Sequence, residues 1–293
     1  MLRNMKDLLG FSIGATDGII GTVKDMYFDD AAWVIRYVVV ETDAWLSSRR
    51  VLISPMAVNA PAWQTKVLPV SLTKNQVKNS PNIDADEPVS RQHELEYLRY
   101  YGYPFYWGGG GLWGRGAHPG SLISGLEHEG AEAARRRTQV EDARADVEAE
   151  AEHRKHSDHH LRSCDTVMAY HIHASDGDIG PVKGFLFDEK TWAIRYMIVS
   201  TSDWWLGHDV LISPQWIEYV RWDDNKVLVS LTRDQVKSAP PYSADLPIPR
   251  EQEMGLYEHY GRAGYWAREV GLQNPEIQFI PPSKSTTPPR EPR

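Results

Sequence analysis

Only one cysteine, Cys164, occurs in the 293 residues. This excludes an internal disulfide framework and a cysteine-based zinc site, and it fits a reducing cytoplasm. Long apolar runs are also missing. The most apolar stretch, Val34 to Val40, is interrupted by Arg36, and nothing approaches the ~20 residues that a membrane-crossing helix needs, so no transmembrane segment is expected. The first nine residues carry Arg3, Lys6 and Asp7 and lack the apolar core of a signal peptide. Excess positive charge is absent: 32 Lys and Arg stand against 40 Asp and Glu, a formal charge of -8, which argues against nucleic acid as a partner.

Catalytic signatures are as scarce. Ser54-Pro55 and Ser213-Pro214 have no histidine at a spacing common to the two to serve as base, and no Gly-x-Ser-x-Gly elbow occurs. The run Gly108 to Gly111 lacks the Lys-Ser or Lys-Thr ending of a phosphate loop. The expectation is a protein that is not an enzyme and carries no cofactor.

What the chain does have is the same domain twice. Residues 17 to 107 align without a gap onto 176 to 266 at a constant offset of 159, with about two in five positions identical. A unit this long can bury its own core, unlike the short repeats of a solenoid. Asp17-Gly18 and Asp176-Gly177 read as tight turns entering a strand. In Trp33 to Val40 both alternating faces are mostly apolar, as in the middle of a covered sheet. Val51 to Ile53 and Val67 to Leu72 add further strands, which suggests a small barrel in each copy. Thr73 to Gln76 and Thr232 to Gln235 match the capping box, so a short helix should follow each barrel. Second helices are expected from about Ser90 to Tyr101 and from about Arg250 to Tyr260, ended by Gly102 and Gly261.

The predicted fold is mainly β: two small β-barrels, each followed by short α-helices, joined by a flexible or helical charged linker. The predicted domains are 1–107 and 166–270, with a Gly-rich and charged linker over 108–165 and a Pro-rich tail over 271–293.

Three groups of residues are candidates for a role. Arg36 and Arg195 lie in mid-strand on largely apolar faces, where an unpaired charge is costly. Asp29 and Asp188 are their expected partners, in a structural tie. His153, His156, His159 and His160 have the spacing with which imidazoles converge on one metal ion. Trp45, Trp204 and Trp205 fall in a turn-like stretch, where aromatics serve as interface anchors.

Each copy resembles the PRC-barrel family, the β-barrel domain shared by the photosynthetic reaction centre H subunit and the C-terminal part of the ribosome maturation factor RimM. The resemblance rests on Asp17-Gly18-Ile-Ile-Gly21-Thr-Val-Lys24, on Trp33 to Val40 with Arg36 and Tyr37, and on Val51-Leu-Ile-Ser54-Pro55. The second copy repeats these as Asp176 to Lys183, Trp192 to Tyr196 and Val210 to Pro214. Tyr100-Tyr101-Gly102 and Tyr106-Trp107 look most like the free-standing tandem PRC-barrel proteins of bacteria. The H subunit's membrane helix and RimM's different first barrel have no counterpart here. The resemblance implies a protein-docking or scaffold module in the cytoplasm, with a membrane-associated complex as one setting. Its partner would be another protein, and its two barrels would pair with each other or with a second chain. Metal or small-ligand binding through the region His153 to His173 is one alternative reading, and an accessory role in photosynthetic electron transfer is another.

Overall fold

A computed structural model describes residues 1–43, 46, 49–81, 89, 91–107, 110–127, 160–201, 207–244 and 247–267. The chain divides into two compact units that do not coincide with the two repeats. The first is Met1–Val167 together with Gly184–Arg195, and the second is Met168–Lys183 together with Tyr196–Arg293.

The first unit is built on β1 (Leu2–Asn4), β2 (Ser12–Ala15), β3 (Gly18–Asp29), β4 (Val34–Thr42), β5 (Arg50–Ile53) and β6 (Val67–Pro69). Its helices are α1 (Lys74–Lys78), α2 (Arg91–Tyr101) and α3 (Pro119–Glu127), followed by β7 (Leu161–Ser163) and the single turn α4 (Cys164–Val167). The sheet runs β5-β4-β3-β2-β6, with β7 added along the end of β3. Val34 to Val40 are all buried, which accounts for the two apolar faces of β4. Each such aliphatic side chain contributes about 1.5–3 kcal/mol when removed from water.

The second half of the chain supplies β8 (His171–Ala174), β9 (Gly177–Asp188), β10 (Ile194–Ser200), β11 (Asp209–Ile212), β12 (Ile217–Arg221) and β13 (Lys226–Val229), then α5 (Arg233–Lys237) and α6 (Arg250–His259). Its strand order is β11-β10-β9-β8-β13-β12. Both sheets combine antiparallel hairpins with one parallel pair, β2 with β6 and β8 with β13. Within the described residues both strand paths are open, whereas the sequence led us to expect barrels. Two prolines help explain why the path of the first copy lacks a counterpart of β12. The residues aligned with the β12–β13 ladder form only the isolated bridges Val58–Val70 and Ala62–Val67. Pro61 and Pro69 stand there where the second copy has Val220 and Leu228, and proline cannot donate to a ladder.

The second glycine of each Asp-Gly-x-x-Gly motif, Gly21 and Gly180, has a steric cause. A Cβ on Gly21 would lie 2.0 Å from the Glu41 carbonyl oxygen, and one on Gly180 would lie 2.0 Å from that of Ser200, so the strands can approach only where no side chain intervenes.

The Gly-rich stretch behaves differently from the linker expected over 108–165. Trp113 is fully buried, and α3 and β7 belong to the first unit. The Gly111–Gly114 and Trp113–Gly116 bridges show that these glycines close tight turns. Both capping boxes are present, at Thr73 with Gln76 and at Thr232 with Gln235. Among the described residues no helix is long and apolar enough to cross a membrane.

Candidate functional site: a buried carboxylate cluster in each copy

The turn between β3 and β4 is made by a repeated aspartate. Asp29 accepts the Ala31 and Ala32 amides at 3.0 and 3.1 Å, and Trp33 donates its amide to the Asp29 carbonyl at 2.7 Å. Asp188 does the same with the Lys190 and Thr191 amides at 3.1 and 2.8 Å and with Trp192 at 2.7 Å. Trp33 and Trp192 close these turns in the left-handed region, with φ of 54° and 59°. A bulky residue is rare in that conformation, so the packing around the turn must hold it there.

Asp29 also faces Arg36 Nη2 at 3.3 Å, and both side chains are buried. Arg36 donates to the Leu112 carbonyl at 2.7 Å, and its guanidinium lies over the rings of Tyr106 and Trp113, 3.9 and 4.7 Å from their centroids. The second copy handles the same pair through an intermediary. Arg195 donates to Thr191 Oγ1 at 3.3 Å, and that hydroxyl donates to Asp188 at 3.0 Å. Burial by itself would raise the Asp29 carboxyl, but the Arg36 and His160 charges and the Ala32 amide hold it below the usual range.

Next to this tie lies a second buried carboxylate, which sequence reasoning missed. Glu94, on α2, is completely buried. Arg91, one turn earlier, reaches its Oε2 at 3.1 Å, and the His160 imidazole Nε2 meets the same oxygen at 2.5 Å. Tyr106 donates its hydroxyl to Oε1. Arg91 also donates to Tyr106 at 3.1 Å and lies over the Trp107 ring at 4.3 Å. Desolvation pushes the Glu94 carboxyl up, yet the His160 and Arg91 charges and the hydrogen bonds from His160 and Tyr106 bring it below its ordinary value. The phenols of Tyr37 and Tyr106 are raised, mainly by burial and then by the Glu94 charge, so both stay protonated.

The second unit repeats the cluster. Glu253, on α6, is buried, with Arg250 at 2.9 Å and the Tyr265 hydroxyl at 2.9 Å. Arg250 donates to Tyr265 at 3.0 Å and lies 4.6 Å from the Trp266 ring centroid. The further donor to Glu253 is the Tyr196 hydroxyl at 3.0 Å. The signal was present in the sequence as Arg-x-x-Glu followed twelve residues later by Tyr-Trp, at Arg91, Glu94 and Tyr106 and again at Arg250, Glu253 and Tyr265. What could not be read was that Glu94 would meet His160, 66 residues away.

Chemically, each cluster ties its helix and the aromatic segment that follows to one another, with both carboxylate oxygens taken up by donors of the chain. The serines of the Ser-Pro pairs are likewise engaged. Ser54 Oγ accepts the Met56 amide at 3.2 Å and Ser213 Oγ the Gln215 amide at 3.3 Å. Of the four histidines considered as metal ligands, His160 is the one described, and its Nε2 is directed at Glu94. His153, His156 and His159 lie outside the described residues, as do Trp45, Trp204 and Trp205.

The fold and clusters define a duplicated small β-domain in which a helix is fastened by an Arg-Glu-Tyr network around a buried glutamate. Residues 4–69 match the PRC-barrel domain, so the first copy carries a domain of that family. An uncharacterized protein of Deinococcus radiodurans is 40% identical over 72 residues, which is 24% of this chain. The match spans 25% of that protein's length.

Proposed function

We propose that this PRC-barrel protein is a non-enzymatic docking module whose interior is fixed and whose exposed residues select another protein. The observation that carries this reading is the contrast between repeated interior and divergent surface. The buried Glu94 with Arg91 and Tyr106 is matched in residue type by the buried Glu253 with Arg250 and Tyr265, while exposed large apolar residues stand where the copies differ. Ile19 is exposed and aligns with Asp178, Tyr219 is exposed and aligns with Ala60, and Met254 is exposed and aligns with Leu95, which is buried. Scattered exposed apolar residues of this kind are the usual material of an interface anchor. Trp45, Trp204 and Trp205, which lie outside the described residues, are further anchor candidates from the sequence alone, and the family resemblance suggests a membrane-associated assembly as the setting.

The test is gentle isolation of the tagged protein from its native cells, with mass spectrometry of what accompanies it, alongside Ile19→Asp, Tyr219→Ala, Met254→Lys and the three tryptophan-to-alanine variants. Loss of one stoichiometric protein in a subset of variants is the expected result. Unchanged recovery of every accompanying protein in all the variants would overturn the choice of surface.

A further inference from the structure

The first unit contains two short strands that are exchanged between the repeats. β1 pairs with the end of β9, setting Leu2 opposite Asp188, Arg3 opposite Phe187 and Asn4 opposite Leu186. β7 pairs with the end of β3, setting Leu161 opposite Asp29, Arg162 opposite Phe28 and Ser163 opposite Tyr27. Shifting either register by the 159-residue offset gives the other.

The surrounding contacts follow the same rule. Arg3 meets Glu189 at 3.1 Å as Arg162 meets Asp30 at 2.9 Å. Glu189 donates its amide to the Met1 carbonyl at 3.0 Å as Asp30 does to that of His160 at 2.9 Å. At the centre, Val34 bridges Ala193, with Ile35 donating to the Trp192 carbonyl and Ile194 to that of Trp33, both at 2.8 Å. Beneath this lies an aromatic layer from both repeats, in which Phe28 and Phe185 are 6.1 Å apart and Trp33 and Phe185 6.4 Å.

A contact in which each side gives what it takes is self-complementary, the property of a two-fold homodimer interface. Here the two sides present the same residue types: Leu2 and Leu161, Arg3 and Arg162, Phe28 and Phe187, Asp29 and Asp188, Trp33 and Trp192. The contacts of His160 with Glu94 and of Ser163 with Asp25, which have no counterpart on the other side, favour the pairing seen, but the shared ladder can accept either repeat, of its own chain or of a second chain. We propose that it is a homotypic strand-exchange surface whose occupant in trans is a second copy of this chain, with covalent linkage favouring the pairing seen within one chain by raising the effective concentration. This inference does not depend on the docking reading.

The test uses the full chain with a protease site introduced in the segment 128–159 and cut after folding, mixed with the same protein carrying a uniform isotope label and followed by native mass spectrometry. The expected result is that the halves stay together, that labelled and unlabelled halves come to pair at random, and that complexes of two N-terminal halves and of two C-terminal halves appear. Arg3→Pro should deplete the pairs of N-terminal halves, because proline removes a ladder donor, and spare the pairs of C-terminal halves. Arg162→Pro should do the reverse. Halves that separate, or that combine only as one N-terminal with one C-terminal half, would overturn the proposal.

Discussion

Glu94 and Glu253 occupy equivalent positions on equivalent helices, and each has an arginine one turn before it and a tyrosine twelve residues after. They differ in the remaining donor. Glu94 receives an imidazole from His160, beyond its own repeat, whereas Glu253 receives the Tyr196 hydroxyl from β10. One copy completes its cluster with an imidazole and the other with a phenol that burial and the neighbouring Tyr257 and Glu253 keep protonated. The same interior pattern is therefore completed by different chemistry according to which chain segment supplies the last donor.

The largest way to break the comparison is to remove the carboxylates. Glu94→Ala leaves Arg91 without its buried counter-charge, and losing one partner of such a pair costs about 3–5 kcal/mol. Glu253→Ala should cost somewhat less, because Arg250 is half exposed and water can take over part of its solvation. Chemical denaturation read from methyl NMR signals of Leu95 and Leu98 for α2, and of Leu256 for α6, separates the two responses. Equal losses at both helices in each variant would show that the clusters act through the whole chain.

Acid should sharpen the contrast. Asp29 and Glu94 have carboxyls held below their ordinary values, so the stability they contribute is present above the unfolded-state range and is lost as pH falls through the lowered folded values. Asp25 and Asp30 are raised, chiefly by burial. They act in the opposite sense, costing stability near neutrality that is recovered as they protonate. The α2 methyl signals are expected to hold through the region where Asp25 and Asp30 titrate and to collapse only at more acid pH. In Arg36→Met the collapse should move to higher pH, because the charge that holds Asp29 down is gone. An unmoved midpoint would exclude Arg36 as the cause.

A smaller effect separates the tyrosines that reach the Ser-Pro turns. Tyr97 accepts the Ser54 amide at 3.0 Å and donates to the Leu52 carbonyl at 3.1 Å, while Tyr257 donates to Ser213 Oγ at 3.2 Å. Because Tyr97 aligns with Leu256, the second copy reaches its turn from one residue further along the helix. Tyr97→Phe strands a buried amide and should cost about 1–3 kcal/mol, and Tyr257→Phe about 1 kcal/mol. The smallest contrast should be no contrast at all. Thr73→Ala and Thr232→Ala each remove a capping box of the same geometry, so thermal unfolding should show matched losses of about 1 kcal/mol.

Much of this architecture is legible because the chain states it twice. Turn chemistry at Asp17-Gly18, the apolar run of β4 and the Thr-x-x-Gln caps act over a few residues, and local signals of that range survive into the folded state. Arg36 was legible as a charge in an apolar strand that needed a partner, and Asp29 is near enough in sequence to be named. Its aromatic walls were not legible, since Trp113 comes from a Gly-rich stretch that composition alone assigns to a linker.

By itself, the sequence determined the duplication, the mainly β character, the helix starts and the need to neutralise a buried arginine, because each depends on residue type and short spacing. The tertiary structure alone decided that the units are not the repeats, that the strands exchange, and that His160 completes one carboxylate cluster while Tyr196 completes the other. Those outcomes depend on which distant segments can satisfy the same backbone edge or the same buried charge, and sequence separation does not encode that distance.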